Sequence, residues 1–124
     1  MSDQVVLRMP AASAYLSVLR TATASLASRL DFNLDDIEDL RIAVDEACAL
    51  LLPHATVGAD LECVFDLTDN GLTVSVSVAT DHPAPIAHDS FAWTVLNALV
   101  GDVSSDVTSD RVTVSLAKHR VAPT

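Results

Sequence analysis

Glycine, basic side chains, cysteine and aromatics are all scarce in this chain. Three glycines, seven Lys and Arg, two cysteines and 4% aromatics are spread over 124 residues. Each shortage excludes something. The seven cations are scattered against 17 Asp and Glu, for a formal net charge of −10. Nucleic-acid phosphates and anionic membrane surfaces both need basic patches, so neither fits such a surface. A partner is better sought among proteins of basic character. Cys48 and Cys63 stand alone inside apolar stretches without CxxC spacing, which reads as two small buried hydrophobes and not as a metal or redox site. The longest apolar run, Ala47 to Pro53, is too short to span a bilayer. The opening MSDQVVLRMP carries no export pattern, because Asp3 and Arg8 interrupt its apolar residues. The cytoplasm is the expected compartment. Between Gly71 and Gly101 there is no glycine at all.

Half the residues are apolar, enough for one domain over residues 1–124 with its own core. Val5, Leu7 and Met9 alternate as in a strand that Pro10 ends. From Ala12 to Leu30 the period becomes helical, with Tyr15, Leu19, Ala22, Leu26 and Leu30 as the expected core stripe. Asp31-Phe32-Asn33 breaks that helix, and Asn33 is placed to cap the next, with acids in its first turns. That second helix should run to about Leu52 before Pro53, with Ile37, Leu40, Val44, Ala47 and Leu51 inward and Arg41 paired to Asp45 or Glu38. Alternation marks strands at Leu61–Leu67 and Leu72–Val78, joined at Asp69-Asn70-Gly71, where Asn-Gly accepts positive φ. Asp89 or Ser90 can cap a helix from Phe91 to Val100, with Gly101 as its C-terminal cap. A last hairpin, Val103–Thr108 and Arg111–Lys118, turns at Ser109-Asp110, and Val121–Thr124 should fray. The order β-α-α-β-β-α-β-β implies an α+β two-layer sandwich: a mostly antiparallel sheet with three helices on one face and a Ser/Thr-rich solvated face opposite.

Chemistry has few footholds. Glu46 lies on a second stripe of the Asn33–Leu52 helix, four residues from Ile42 and from Leu50. A carboxylate among apolar side chains can have a raised pKa and act as a general base, although a solvated or dipole-facing glutamate fits the spacing better. His82 and His88, with Asp81 and Asp89, lack the tight spacing of a metal site, so no metal is expected. The first helix is unusual for its lack of charge. From Ala11 to Leu30 only Arg20 and Arg29 are charged, and Ser13, Ser17, Arg20, Thr21, Ala24 and Ser28 lie opposite the expected core stripe. Small side chains around one arginine suit a protein partner.

The run Asp39-Leu40-Arg41-Ile42-Ala43-Val44-Asp45-Glu46-Ala47-Cys48, preceded by Asp31-Phe32 and followed by a hairpin, resembles the bacterial anti-sigma-factor/serine-kinase family of the GHKL ATPase superfamily. The element order is similar from Val5 to Lys118, and Ser90–Val100 looks like the late helix of actinobacterial members. The resemblance implies a histidine-kinase-like ATPase fold, with Glu46 as the base for phosphoryl transfer and an Mg²⁺-binding asparagine four residues on. That asparagine position is Leu50 here, which offers no oxygen to a hard cation. The family's Asp-x-Gly-x-Gly adenine loop corresponds to Asp81-His82-Pro83-Ala84-Pro85, which keeps the weak adenine-binding candidate Asp81 and has prolines for both glycines. The Gly-rich phosphate lid corresponds to Ile86-Ala87-His88-Asp89, which lacks permissive backbone and adds a negative charge. No cofactor is therefore expected, and ATP with Mg²⁺ belongs only to the alternative of an active serine kinase using Glu46 and Asp81. The resemblance further implies a sigma factor as partner, an anti-anti-sigma (STAS-type) competitor, binding through Arg20 with Ser17, Thr21 and Ala24, and pairing as a homodimer through a face the sequence does not single out.

Overall fold

Five runs with alternating burial form strands β1 (Asp3–Pro10), β2 (Asp60–Leu67), β3 (Gly71–Ala79), β4 (Asp102–Val107) and β5 (Arg111–His119). Three helices, α1 (Leu16–Arg29), α2 (Leu34–Leu51) and α3 (Phe91–Val100), interleave with them in the expected order. These assignments come from a computed structural model that describes residues 2–120; the tail expected to fray, 121–124, lies outside the described residues. The strands form one antiparallel sheet in the order β1-β2-β3-β5-β4, leaving β1 and β4 as its edges. The helices supply the second layer of an α+β sandwich of the GHKL type.

The core lies between the layers. Leu61, Cys63, Phe65 and Leu67 of β2, Leu72, Val74, Val76 and Val78 of β3, and Val112, Val114 and Leu116 of β5 are all buried, as alternation requires. From α2 come Leu40, Ala43, Val44, Ala47, Cys48 and Leu51, and from α3 Trp93, Leu96 and Val100. On the opposite sheet face, Ser75 and Ser115 are hydrogen-bonded at 3.1 Å.

Helix ends follow their capping chemistry. Asn33 accepts from the Asp36 N–H at 2.8 Å, and Ser90 accepts from the Trp93 N–H at 3.1 Å. Gly101 adopts φ +81° at the C-terminus of α3. The C-terminus of α1 is closed by a non-glycine residue. Asp31 sits at φ 59°, the Phe32 N–H donates to the Ala27 carbonyl and the Asp31 N–H to that of Ser28. This is the paired bonding of a Schellman motif, and the buried Phe32 anchors it.

Three expectations need correction. The first helix begins with a short 3-10 turn at Ser13–Tyr15, and Tyr15 is 44% exposed, outside the core stripe. The fully buried line of α1 is Leu19, Thr23 and Ala27. Thr23 fits there because its hydroxyl donates to the Leu19 carbonyl at 2.8 Å, so no polar atom is stranded. Of the two partners expected for Arg41, it takes Glu38, as Asp45 faces Arg20 across the α1–α2 contact. The β2–β3 hairpin turns without positive φ at Asn70 or Gly71. Gly71 is needed for space instead: a Cβ there would come within 2.9 Å of His119 Nδ1 and 3.2 Å of the Lys118 carbonyl.

Candidate functional site

Helix α2 separates two regions, and the residues singled out by the sequence fall on either side of it. On the α1 side, the rotated core stripe divides the four expected partner-binding residues. Arg20 and Ala24 are half-buried, with Arg20 beside Asp45 of α2, whereas Ser17 and Thr21 are exposed. Thr21 returns its hydroxyl to the Ser17 carbonyl at 2.9 Å. Arg20 Nε lies 3.2 Å from Asp45 Oδ1, near enough for attraction but not aligned as a hydrogen bond. With both side chains about two-fifths exposed (40% and 38%), this pair contributes at most about 1 kcal/mol. Its effect is to aim the guanidinium along the surface between the two helices.

Ser17 and Thr21 line a different feature. With Val18, Ala22 and Ser25 of α1 and Leu7 of β1 they form a shallow groove of ≈ 520 Å³. Val18, 54% exposed, is its largest open side chain on α1.

On the α3 side, Glu46 is half-buried on α2 and makes no hydrogen bond or ion pair with any described residue. Its neighbours along the stripe differ in exposure. Ile42 is exposed, while Leu50 is partly buried and packs against the core. Leu50 thus makes apolar contact where an oxygen ligand would be needed.

Asp81 borders a cleft of ≈ 400 Å³ with Pro53, His54, Ala55, Thr56, Val57, Thr80 and His82. Thr80 is buried, and its hydroxyl accepts from the His82 N–H at 3.1 Å. The rest of the loop is held down. Ile86 is buried in the core, the His88 ring stacks on Trp93 with centroids 3.9 Å apart and planes 6° apart, and His88 Nε2 lies 2.7 Å from Ser105 Oγ. His82 and His88 therefore have separate surroundings, and no group of three or more His, Cys, Asp or Glu able to hold a metal occurs among the described residues.

Sequence reasoning missed the His88–Trp93–Ser105 contact. Its one available signal was Ser105, a polar residue at an inward position of β4 between Val103 and Val107. Also unread was Lys118, whose ammonium donates to the Leu99 carbonyl at 2.7 Å and lies near Asp36 and Asp39. It ties the end of α3 to the start of α2.

The two thiols lie in the core. Burial, and secondarily the Asp45 charge, push Cys48 up to about 12; burial likewise raises Cys63. Neither is poised as a nucleophile. No helix among the described residues is long and apolar enough to cross a membrane.

No family model matches the chain. Among individual proteins, it is 34% identical over 114 residues to a protein of Mycobacterium tuberculosis named anti-sigma-F factor RsbW, covering 86% of this chain and 68% of that one. It is 36% identical over 78 residues to proteins named serine-protein kinase RsbW from Bacillus thuringiensis and Bacillus cereus, covering 60% of this chain and 48% of theirs. With that identity over most of both chains in the mycobacterial case, this protein belongs to the RsbW family of anti-sigma factors and serine-protein kinases.

Proposed function

We propose that the chain is an anti-sigma factor of the cytoplasm that binds and sequesters a sigma factor, is countered by an anti-anti-sigma (STAS-type) partner, and does not phosphorylate that partner. The observation that carries this reading is the contrast across α2. Arg20 stands at the α1–α2 boundary beside Asp45, with its side chain 40% exposed, while on the other side Leu50 packs into the core and the Asp81–Ser90 loop is pinned by Ile86 and His88. Release follows from competition: two partners needing one face cannot occupy it together, and specificity comes from shape and charge at that face. Arg20 is the expected anchor, since a guanidinium offers several donors on a planar group and is favoured where interfaces bury their energy. A net charge of −10 adds long-range attraction for basic partner segments. Glu46 is then a relic or a structural residue.

A second reading has one observation in its favour. The Bacillus relatives carry the name serine-protein kinase, and Glu46 is half-exposed with no described partner. Under that reading Glu46 and Asp81 would serve an ATP site, although neither Leu50 nor the glycine-free loop supplies what Mg²⁺ and phosphates require.

The test is affinity capture from native cytosol with the wild-type chain and Arg20→Glu. Recovery of a sigma factor or a STAS-type protein by the wild type, lost in the variant, is expected. If neither is captured where both are expressed, the anti-sigma reading is wrong.

A further inference from the structure

Strand β4 is an open edge of the sheet, on the side away from β1. Its pairing with β5 runs unbroken from Asp102–Ala117 to Val107–Val112, with no bulge, proline or lysine to blunt the strand. The hairpin decides which of its backbone groups are left over. The Thr108 N–H donates to the Arg111 carbonyl at 2.9 Å, and bonded pairs alternate along an antiparallel ladder. Asp102, Ser104 and Asp106 therefore bond to β5, whereas Val103, Ser105 and Val107 turn their N–H and C=O groups outward. No described residue bonds to these outward groups, and His88 reaches only the Ser105 hydroxyl. The side chains alternate as well. Val103, Ser105 and Val107 are half-buried toward the helices, while Asp102, Ser104 and Asp106 are exposed on the other face. Neither aspartate has an ion-pair partner among the described residues.

We propose that β4 is a docking edge for a basic, extended segment of another protein, which joins the sheet as an antiparallel strand. Main-chain bonds to Val103, Ser105 and Val107 hold the segment, and the alternating side chains select it. Strand faces repeat every second residue, so Asp102, Ser104 and Asp106 meet three alternate positions of the incoming strand. Cations opposite the two aspartates stand four residues apart, with a small or β-branched polar residue between them opposite Ser104. On the inner face, the residues opposite Val103 and Ser105 extend a half-buried layer and are apolar and β-branched. The segment that fits reads Lys-Val-Thr-Val-Lys, with arginine able to replace either lysine. A second copy of β4 does not fit. In any register it brings four carboxylates onto one face of the seam, between molecules of net charge −10. The same two aspartates thus repel a copy of the chain and attract a basic strand. Arg20 lies at the α1–α2 boundary, away from this edge, so the docking edge is independent of the anti-sigma reading.

An NMR titration of the intact, isotope-labelled chain with the blocked peptide Thr-Lys-Val-Thr-Val-Lys-Thr tests this at low ionic strength, where exposed charges are least screened. The amide signals of Val103, Ser105 and Val107 should shift and exchange more slowly with water, because their N–H groups gain acceptors. Methylating the backbone nitrogens of the two valines removes the donors that face β4 and should weaken binding at least about 10-fold. Replacing both lysines of the peptide by glutamate should weaken it by as much. Asp102→Asn combined with Asp106→Asn should weaken the lysine peptide about 10-fold. Both aspartates are exposed and unpaired among the described residues, and circular dichroism will establish that the variant keeps the fold. Arg20→Glu should bind the peptide as the wild type does. Four results would each overturn the proposal: no binding at millimolar peptide, shifts confined to residues outside β4, undiminished binding by either altered peptide, or undiminished binding by the double variant. Peptide binding at β4 without capture of a sigma factor or STAS-type protein would contradict the functional reading alone.

Discussion

The two sides of α2 share a scaffold and differ in what they leave free. Toward α1, Leu19, Thr23 and Ala27 pack tightly and hold an arginine whose charged end remains at the surface. Toward α3, the chain spends its polar and aromatic groups on itself: His88 on Trp93 and Ser105, Thr80 on His82, Lys118 on Leu99. Binding a partner needs a rigid base and unsatisfied surface groups, which the first side has. Binding phosphates needs backbone that can turn its N–H groups outward, and a glycine-free loop anchored by Ile86 lacks that freedom.

The largest way to break this contrast is to remove its base. Leu19→Ala should cost about 2–5 kcal/mol in denaturant unfolding, since Leu19 is fully buried between α1 and its surroundings. Arg20→Glu sharpens the comparison by separating stability from binding. Partner affinity should fall by at least about 2 kcal/mol, as for an interface hot spot, while the unfolding midpoint barely moves because the Asp45 pair is solvent-exposed. On the other side, His88→Ala should cost about 1 kcal/mol and alter the emission of Trp93, the single tryptophan, without weakening partner capture. The smallest effect at neutral pH belongs to the thiols. Cys48 titrates near 9 when unfolded and near 12 when folded, so its contribution is fully present below pH 9 and is lost as pH rises toward 12. Unfolding curves across that range should show the decline, and native protein at neutral pH should resist thiol reagents until denatured.

Much of the fold was legible because the strands alternate cleanly and three helix caps use side chains suited to them: Asn33, Ser90 and Gly101. The orientation of α1 was not. Its small residues make burial ambiguous, and an internally bonded threonine, Thr23, took a place that periodicity assigns to larger apolar residues. That rotation moved Arg20 toward α2 and left Ser17 and Thr21 on the groove, dividing a face read as one. The loss of glycine from the loop after β3 was readable directly, but what holds the loop was not. The stack of His88 on Trp93 and the bond to Ser105 join residues with no shared period.

Calorimetric titration of the wild-type chain with Mg-ATP separates a protein that only binds partners from a kinase. No saturable heat is expected up to millimolar nucleotide. Sub-millimolar, Mg²⁺-dependent binding would contradict this and return the chain to the kinases of its family.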